Sequence, residues 1–287
     1  MQRIAILLAK HAARILLITL VGAFLALALT RLAPNVDERE FDTRLSDESR
    51  AAIRQSHDAE RNIFRFYWSW LGGVAHGDLG VSQGLNRPVR ELLSERLPVT
   101  AKLLGWGLLV GWTLGLGLAV PLAFLPSRVY DMSASAIAAL FLCLPAAVLA
   151  LLFVLLRAPA ALALGLLLFP KIFRYARTLL QQSATLPHVL TARAKGLGNL
   201  RVLFWHSVPP AAGQWLALLA VSIPLALSAA VPVEVVCDLP GIGQLAWKAA
   251  LARDLYLLVC LTGMVTLTTV MAKSASDLLG EGLRPTA

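Results

Sequence analysis

The sequence predicts an all-α integral membrane protein with six transmembrane helices, and three observations support this prediction. Hydrophobic residues make up 57% of the 287 residues and charged residues only 15%, whereas soluble domains average about 45–50% and about 25%. The mean hydropathy is +0.70. Apolar stretches of about 20 residues, the length of helix that crosses a hydrocarbon core, alternate along the chain with basic segments.

The six predicted transmembrane helices comprise residues 12–33, 100–125, 133–156, 158–180, 215–236 and 255–278. The first is predicted to be a retained helix, because it is too long for the apolar region of a signal peptide and lacks a small-residue cleavage site. The fourth is the least apolar, since Lys171, Arg174 and Arg177 enter its second half at helical spacing. We therefore expect the fourth helix to emerge into a basic interface near Lys171.

Loop charge predicts the orientation of the chain in the membrane. Residues 171–213 contain six Lys and Arg and no Asp or Glu, and basic loops stay on the cytoplasmic side. The basic amino terminus and Arg128 agree with this orientation. The sequence thus predicts a single membrane domain, residues 1–287, with both termini in the cytoplasm. A loop of about residues 181–213 is expected to be cytoplasmic, and a segment of about residues 34–98 is expected outside.

Motifs of common enzyme and metal sites are absent from the sequence. It contains no GxxxxGK[ST] phosphate loop, no HExxH and no GxSxG. The three cysteines, Cys143, Cys237 and Cys260, lie far apart and match no metal-binding spacing. The net charge of +9 is distributed between the apolar blocks, which indicates membrane topology and no nucleic-acid partner. We expect no catalytic residue, no metal site and no cofactor bound by this chain.

The segment TARAKGLGNLRVLFWHSVPPA, residues 191–211, contains glycines and prolines that determine its backbone more closely than a simple connection between two helices requires. Gly196 and Gly198 permit the positive φ angles of a sharp turn. Pro209 and Pro210 are expected to end a helix before the next transmembrane helix begins.

Between these glycines and prolines, NLRVLFWHSV is predicted to form a short amphipathic helix that starts at Asn199. Its apolar face is expected to carry Leu200, Leu203 and Phe204, with Arg201 near the opposite face. A helix of this kind with basic flanks suits docking into a groove of a partner protein. It equally suits lying on anionic lipid, and the residues alone leave both interpretations open.

Three passages resemble the dipeptide/oligopeptide/nickel branch of ABC-importer permeases. YARTLLQQSATLPHVLTARAKGLGNLRVLFWHSVPPA resembles the cytoplasmic loop of that branch, in which ARAKGL is close to a signature. HGDLGVSQGLNRPVRELLSERLPVTAKLL resembles the segment that enters its second span, and VPVEVVCDLPGIGQLAWKAALARDLYLLV resembles its last outer loop. Together the passages cover most of residues 70–280 in the expected order, and the chain is similar to a B-type subunit with the fold of a type I importer permease.

The resemblance implies that the chain is the permease subunit of an ATP-driven importer in the bacterial inner membrane, and not an enzyme. It implies four kinds of partner: a second homologous permease, two ATPase subunits that bind ATP and Mg²⁺, an external solute-binding protein, and the lipid bilayer. The implied cargo is dipeptides or oligopeptides, with nickel or another small solute as an alternative. The rival from another class is an autonomous channel or ion-coupled carrier.

The resemblance also implies that residues 191–210 couple ATP hydrolysis to transport. The ATPase-coupling residues are expected to be Ala192, Arg193, Ala194, Lys195, Gly196 and Leu197, together with Leu200, Leu203 and Phe204. Gly196 is expected to make the turn, while Arg193 and Lys195 face acidic groups of the ATPase or anionic lipid. The chain departs from the family in two places. Leu190 stands where the broader importer signature has a glutamate, and the connection LRAPA at residues 156–160 is shorter than in relatives.

Small residues in the second predicted helix recur at every fourth position, at Gly107, Gly111 and Gly115. Residues four apart lie on one face of a helix, and small side chains there allow close helix–helix approach in lipid. The sequence therefore predicts packing at this face, either within the subunit or against the second permease.

Polar residues in the fifth predicted helix are candidates for the transport pathway. They are Ser222, Ser228 and Glu234. An acid at membrane depth is a functional candidate, and Glu234 is expected to touch a peptide amine or to form an ion pair with Arg253 that fixes the outer loop. The alternative for the two serines is a hydrogen bond to their own helix.

Overall fold

The computed structural model describes residues 2–32, 63–124 and 127–282. Of the predicted outer segment, about residues 34–98, residues 63–98 are described, and residues 34–62 lie outside the described residues. The same holds for Leu125, where the second predicted helix ends, and for residues 283–287 at the carboxyl terminus.

The described chain is built of α-helices and one short hairpin. The first half contains α1 (Gln2–Leu32), α2 (Ile63–Ala75), α3 (Val89–Phe124), α4 (Arg128–Cys143), α5 (Ala146–Leu155) and α6 (Ala160–Ala184). The second half contains α7 (Pro187–Ala194), α8 (Asn199–Val202), α9 (Ala212–Val236), α10 (Ile242–Ala252) and α11 (Leu255–Gly282). A π-helical turn, Leu203–Ser207, and a 3-10 turn, Pro209–Ala211, join α8 to α9. Strands β1 (Val81–Ser82) and β2 (Arg87–Pro88) pair antiparallel.

Four helical segments of the described chain are long and apolar enough to cross a membrane: Lys10–Ala28, Val89–Leu122, Asn199–Val236 and Leu255–Gly280. A fifth candidate is the pair of α4 and α5, which is bent by 93° at its break. The prediction of an all-α membrane protein is therefore confirmed. The predicted count of six helices is not confirmed, since the described residues supply four, or five with the bent pair.

The third predicted helix, residues 133–156, is wrong as one continuous element. The helix α4 ends at Cys143, and Leu144 has an extended backbone with φ −78° and ψ 125°. Leu144 precedes Pro145, and a proline disfavours helical backbone in the residue before it. Pro145 then caps the start of α5. Pro224, by contrast, lies inside α9 without ending it.

The helices α3 and α6 pack closely through glycines of α3, which are Gly107, Gly111 and Gly115. A Cβ added at these positions would lie 2.5 Å from Leu164 Cδ2, 3.0 Å from Leu168 Cβ and 2.8 Å from Ile172 Cγ2, respectively. The glycines thus serve close packing within this subunit, the first of the two roles predicted for them. Because the contacting residue numbers rise together, α3 and α6 run parallel.

The helix α6 is long enough to span a membrane but is unusually cationic. Its first 18 of 25 residues include Lys171, Arg174 and Arg177. One face of α6 is buried as far as Ser183. Arg177 binds both carboxylate oxygens of Asp131 in α4, at 2.6 Å and 2.5 Å. The helix is therefore amphipathic from its middle onward, with one buried face and one face that carries cations from Lys171 on.

The hairpin end of the molecule, residues 77–88 and 237–254, has its own apolar core. The buried residues of this core come from α3, α10 and α11: Val89, Leu92, Ile242, Leu245, Ala249, Leu257, Cys260 and Leu261. This core packs the start of α3 against α10, the short helix that connects α9 to α11.

The opposite end of the molecule holds the 187–211 segment. The start of α9 meets the end of α11 there, because a Cβ added at Gly213 would lie 4.0 Å from Gly280 Cα. Arg14 of α1 approaches Asp277 of α11 at 3.7 Å. The amino-terminal half of α1 and the last turns of α11 therefore lie at the same end as the 187–211 segment.

Candidate functional site

The ARAKGL stretch forms the end of α7 and the turn that follows it. The Gly196 N–H donates to the Arg193 carbonyl at 2.9 Å, and the Leu197 N–H donates to the Ala192 carbonyl at 3.3 Å. These two bonds define a Schellman motif, which places a glycine in the left-handed region. The positive φ expected at Gly196 is confirmed at +73°. Gly198 instead has φ −60° and caps the start of α8.

A small apolar core holds α7 against α8. Val189 and Ala192 of α7 are 0% and 4% exposed, and Val202 of α8 is 1% exposed. Leu186 and Leu197 pack against these three residues. Because the two short helices share this core, they form one structural unit with the Schellman turn between them.

The chain passes from α8 to α9 without leaving its helical course. The predicted helix end at Pro209 and Pro210 is wrong, because Asn199–Val236 is one helical segment. A proline has no N–H, so the two carbonyls four residues earlier lose their usual donors. The chain accommodates this loss with a π-helical turn, in which the Val208 N–H donates to the Leu203 carbonyl at 2.9 Å.

The ring of His188 bonds to one of these carbonyls. His188 Nε2 lies 3.0 Å from the carbonyl oxygen of His206, which is four residues before Pro210. The ring donates this bond when Nε2 carries the proton. It therefore adds a polar contact between α7 and the π-helical turn.

Large apolar side chains of the 187–208 segment are exposed on the described chain. Leu200 is 65% exposed, Phe204 62% and Trp205 76%, and Leu190 of α7 is 53% exposed. Leu203 is only 4% exposed and belongs to the core between α3, α6 and α9. The predicted face of Leu200, Leu203 and Phe204 is thus corrected, because the inward side of this helix carries Leu203 and the outward side carries the other two.

Cationic side chains flank these exposed apolar groups. Arg193, Lys195 and Arg201 are exposed, and residues 171–213 contain no acid. We call these three cations, with Leu190, Leu200, Phe204 and Trp205, the apolar–cationic surface. Such a surface suits an apolar groove with an acidic rim on another protein, and it also suits anionic lipid.

Glu234 is a fully buried carboxylate at the hairpin end. It accepts hydrogen bonds from the Thr100 hydroxyl at 2.7 Å, the Gly243 N–H at 2.7 Å and the Gln244 N–H at 3.1 Å. The two N–H groups belong to the first turn of α10, where a helix leaves its donors unpaired and favours negative charge. Glu234 therefore fixes α10 to α9 and α3 through neutral donors instead of the predicted ion pair with Arg253.

Thr100 and Gly241 complete this arrangement, which we call the clasp (Thr100, Glu234 and residues 241–244). The Thr100 hydroxyl also accepts the Ile242 N–H at 2.7 Å. A Cβ on Gly241 would overlap the Glu234 carboxylate. The PGIG stretch thus needs a glycine at this position because a buried carboxylate lies against its backbone.

Asp254 is a second buried carboxylate, only 1% exposed. It accepts the Ser82 hydroxyl at 2.5 Å and the Gly84 N–H at 3.1 Å, both in the hairpin, and the Leu257 N–H at 3.1 Å. Asp254 therefore caps α11 and ties the hairpin to it. Our sequence analysis missed Asp254 and Thr100. An aspartate directly before an apolar helix is a recognisable N-cap signal, whereas Thr100 offers no local signal.

The predicted pathway residues occupy different surroundings. Ser222 is 0% exposed; it accepts the Trp112 Nε1–H at 3.3 Å and donates to the Leu219 carbonyl at 2.7 Å. Glu234 is likewise 0% exposed. Ser228 lies on the exposed side of α9. Of these three residues, Ser228 alone is accessible from the surface of the described chain.

Comparison with known proteins identifies the family. The model of the binding-protein-dependent transport system inner membrane component matches residues 111–285. The chain is 28% identical over 271 residues to the oligopeptide transport system permease protein OppB of Salmonella typhimurium, with 87% of each chain covered. It is also 28% identical, with the same coverage, to the protein of that name from Escherichia coli strain K12. The chain thus belongs to the family of binding-protein-dependent transport system inner membrane components, as the resemblance of its three motifs predicts.

Proposed function

We propose that this chain is one of two permease subunits of an ATP-driven importer for oligopeptides or dipeptides. The observation that carries the proposal is the 28% identity, over 87% of each chain, to proteins named as oligopeptide transport permeases. Membership of the binding-protein-dependent family supports the part of the proposal that concerns delivery of the solute by a separate binding protein.

The apolar–cationic surface docks one ATPase subunit in this proposal. Its four apolar side chains are 53–76% exposed, and clustered apolar exposure on a soluble surface is typical of an interface. Leu200 and Phe204 enter the groove of the ATPase, while Arg193 and Lys195 face acidic groups at its rim. Ala192 is buried and acts through the packing of α7 on α8.

Movement at this surface reaches the transmembrane helices through two connections. The unit formed by α7 and α8 moves as one body because Val189, Ala192 and Val202 share a core. The helical segment Asn199–Val236 continues from that unit to Glu234. When ATP closes the two ATPase subunits, the docked segments approach each other and α9 moves with its own segment.

The orientation of the chain follows from this assignment. With the 187–211 segment in the cytoplasm, both termini are cytoplasmic and the hairpin end faces outward. The binding protein docks at the outward end and releases its solute between the two permeases. ATP and Mg²⁺ bind to the ATPase partners and not to this chain.

Reconstitution of the complete importer tests the proposal. Both permeases, the two ATPase subunits and the binding protein are placed in proteoliposomes, and uptake of a labelled oligopeptide is measured with and without ATP. We expect uptake only when ATP, the ATPases and the binding protein are all present. Uptake by the permease alone would identify an autonomous carrier, and uptake of nickel without peptide would identify the alternative cargo.

A further inference from the structure

The helix α6 carries a polar stripe that the packing of the subunit does not use. Polar side chains recur at intervals of three and four residues, which places them on one face of the helix. They are Lys171, Arg174, Thr178, Gln181 and Thr185. Lys171 is partly exposed and the other four are exposed, whereas the opposite face of α6 is buried as far as Ser183.

The stripe begins at Lys171, far from the start of α6 and far from the end of α3, its neighbour. From Ala160, where α6 starts, to Lys171 the helix rises about 16 Å at 1.5 Å per residue. Ile172, the next residue, contacts Gly115 of α3. From Gly115 to its last residue, Phe124, α3 continues for about another 14 Å. Lys171 therefore lies at a depth where the neighbouring helix is apolar.

Two cations of the stripe lack partners in the described part of the chain. Arg177, on an adjacent face of α6, binds Asp131 with two hydrogen bonds. Among residues 10–28, 64–122 and 127–280, whose side chains the structure describes, neither Lys171 nor Arg174 has an ion pair or a side-chain hydrogen bond. Ionisable side chains at bilayer depth face water-filled cavities or charged partners. These two cations thus indicate a polar occupant outside this subunit.

We infer that the polar stripe lines the inner half of the aqueous transport pathway, and that Lys171 and Arg174 bind a carboxylate of the solute as it passes. The inference rests on the proposed function, because a peptide carries a free carboxylate at its carboxyl terminus. Charge complementarity supports it, since residues 171–213 contain no acid that competes for the two cations. Thr178, Gln181 and Thr185 continue the stripe toward the inner end and supply neutral hydrogen-bonding groups for the solute and for water.

A lipid headgroup is the less suitable occupant of this stripe. Long basic side chains near helix ends reach the membrane interface by extending along the surface, but Lys171 lies about 14 Å of helix rise from the end of α3. A lipid-facing stripe would also place the amide of Gln181 against acyl chains. A water-filled pathway satisfies the two cations and this amide, while the hydroxyls of Thr178 and Thr185 donate to backbone carbonyls at 2.9 Å each.

Peptides that differ only in the terminal carboxylate test the binding of the solute. In the reconstituted importer, uptake of a free-acid oligopeptide is compared with uptake of the same peptide amidated at its carboxyl terminus. For the double variant Lys171→Gln/Arg174→Gln we expect uptake of the free-acid peptide to fall about tenfold, as for loss of one hydrogen bond to a charged group. Uptake of the amidated peptide is expected to stay at the wild-type rate.

The matched control is Arg128→Gln, which removes an exposed cation at the start of α4. It is expected to leave uptake of both peptides unchanged. Co-purification of the ATPases with the double variant shows that the importer is assembled. An equal loss for both peptides, or no loss for either, contradicts the proposed role of the two cations.

Cysteine labelling tests the aqueous surroundings without reference to the solute. Arg174→Cys and Thr178→Cys are made in a chain whose natural cysteines are replaced, and a water-soluble thiol reagent is applied from the cytoplasmic side. Both are expected to react, while Ala176→Cys, at a position 0% exposed on the same helix, is not. Reaction only with a lipid-soluble reagent would assign the stripe to lipid and overturn the inference. Water accessibility without peptide uptake by the wild type would instead refute peptides as cargo and, with them, the carboxylate assignment.

Discussion

The clasp and the apolar–cationic surface lie toward opposite ends of one helical segment and have opposite chemistry. In the clasp, the charged Glu234 is 0% exposed and receives three hydrogen bonds from neutral donors. At the surface, apolar Phe204 and Trp205 are 62% and 76% exposed. A buried polar group with all its partners is complete within the subunit, whereas an exposed apolar group obtains its partner from another molecule.

This contrast separates residues that stabilise the subunit from residues that serve the assembled transporter. Changes in the clasp are expected to lower the stability of the subunit and to reduce transport as a consequence. Changes at the apolar–cationic surface are expected to leave stability intact and to reduce coupling directly.

The largest loss of stability is expected for Glu234→Ala. The substitution leaves the Thr100 hydroxyl and two backbone N–H groups buried without an acceptor, and each such group costs about 1–3 kcal/mol. We expect a total loss of about 3–5 kcal/mol, measured as a lower Tm of the purified complex in detergent. Ser228→Ala on the exposed side of α9 is the control and should retain the wild-type Tm. An unchanged Tm for Glu234→Ala would show that the clasp does not stabilise the fold.

Two consecutive residues of the π-helical turn, Leu203 and Phe204, are expected to separate loss of stability from loss of ATPase binding. Leu203→Ala removes a side chain that is 4% exposed and should lower stability by about 2–4 kcal/mol. Phe204→Ala removes an exposed side chain and should leave the Tm unchanged. It should weaken ATPase binding on the order of tenfold or more, measured by titration of the ATPase onto the permease pair. If Phe204→Ala lowers the Tm as much as Leu203→Ala, the surface is part of the subunit core.

Gly241 and Gly198 allow the same comparison between a tightly packed position and an open one. Gly241→Ala forces a methyl group against the Glu234 carboxylate, and we expect a loss of about 1–3 kcal/mol in thermal unfolding. Gly198→Ala adds its methyl group where no atom lies within 4 Å and should be neutral. Equal effects at both positions would contradict the description of the clasp as tightly packed.

A small loss of stability, with a large change in transport, is expected for Gly196→Val. Its φ of +73° suits glycine and costs a β-branched residue about 1–2 kcal/mol. The strain is local to the Schellman turn, so the subunit should still insert and bind its partners. We expect ATP hydrolysis to continue while uptake stops, which paired assays on proteoliposomes measure. Gly198→Val, at φ −60°, is the control, and normal uptake by Gly196→Val would refute the assignment of the turn.

The features that the sequence predicts well are those that depend on neighbouring residues. Long apolar runs predict membrane helices because length and hydropathy are properties of one segment. The spacing of Gly107, Gly111 and Gly115 predicts a packing face because residues four apart align on any helix. Gly196 is predictable as a turn because a left-handed residue favours glycine whatever surrounds it.

The features that the sequence does not predict depend on distant parts of the chain. Glu234 and Thr100 are 134 positions apart, and no local pattern connects a threonine in α3 to a glutamate in α9. Leu203 and Phe204 differ in burial because Leu203 packs against residues of α3 and α6 that are distant in the sequence, whereas Phe204 faces away from them. The 93° bend before Pro145 is the intermediate case, since a proline marks a possible break but does not give its angle.

The uninterrupted course of Asn199–Val236 has a mechanical consequence. Its 38 residues carry Phe204 near one end and Glu234 near the other, with the π-helical turn and the 3-10 turn before α9. Because the backbone stays helical between these two ends, a displacement of the Phe204 end is expected to move the Glu234 end as well. In the importer that we propose, this single stretch of backbone connects the surface that docks the ATPase to the clasp at the outward end.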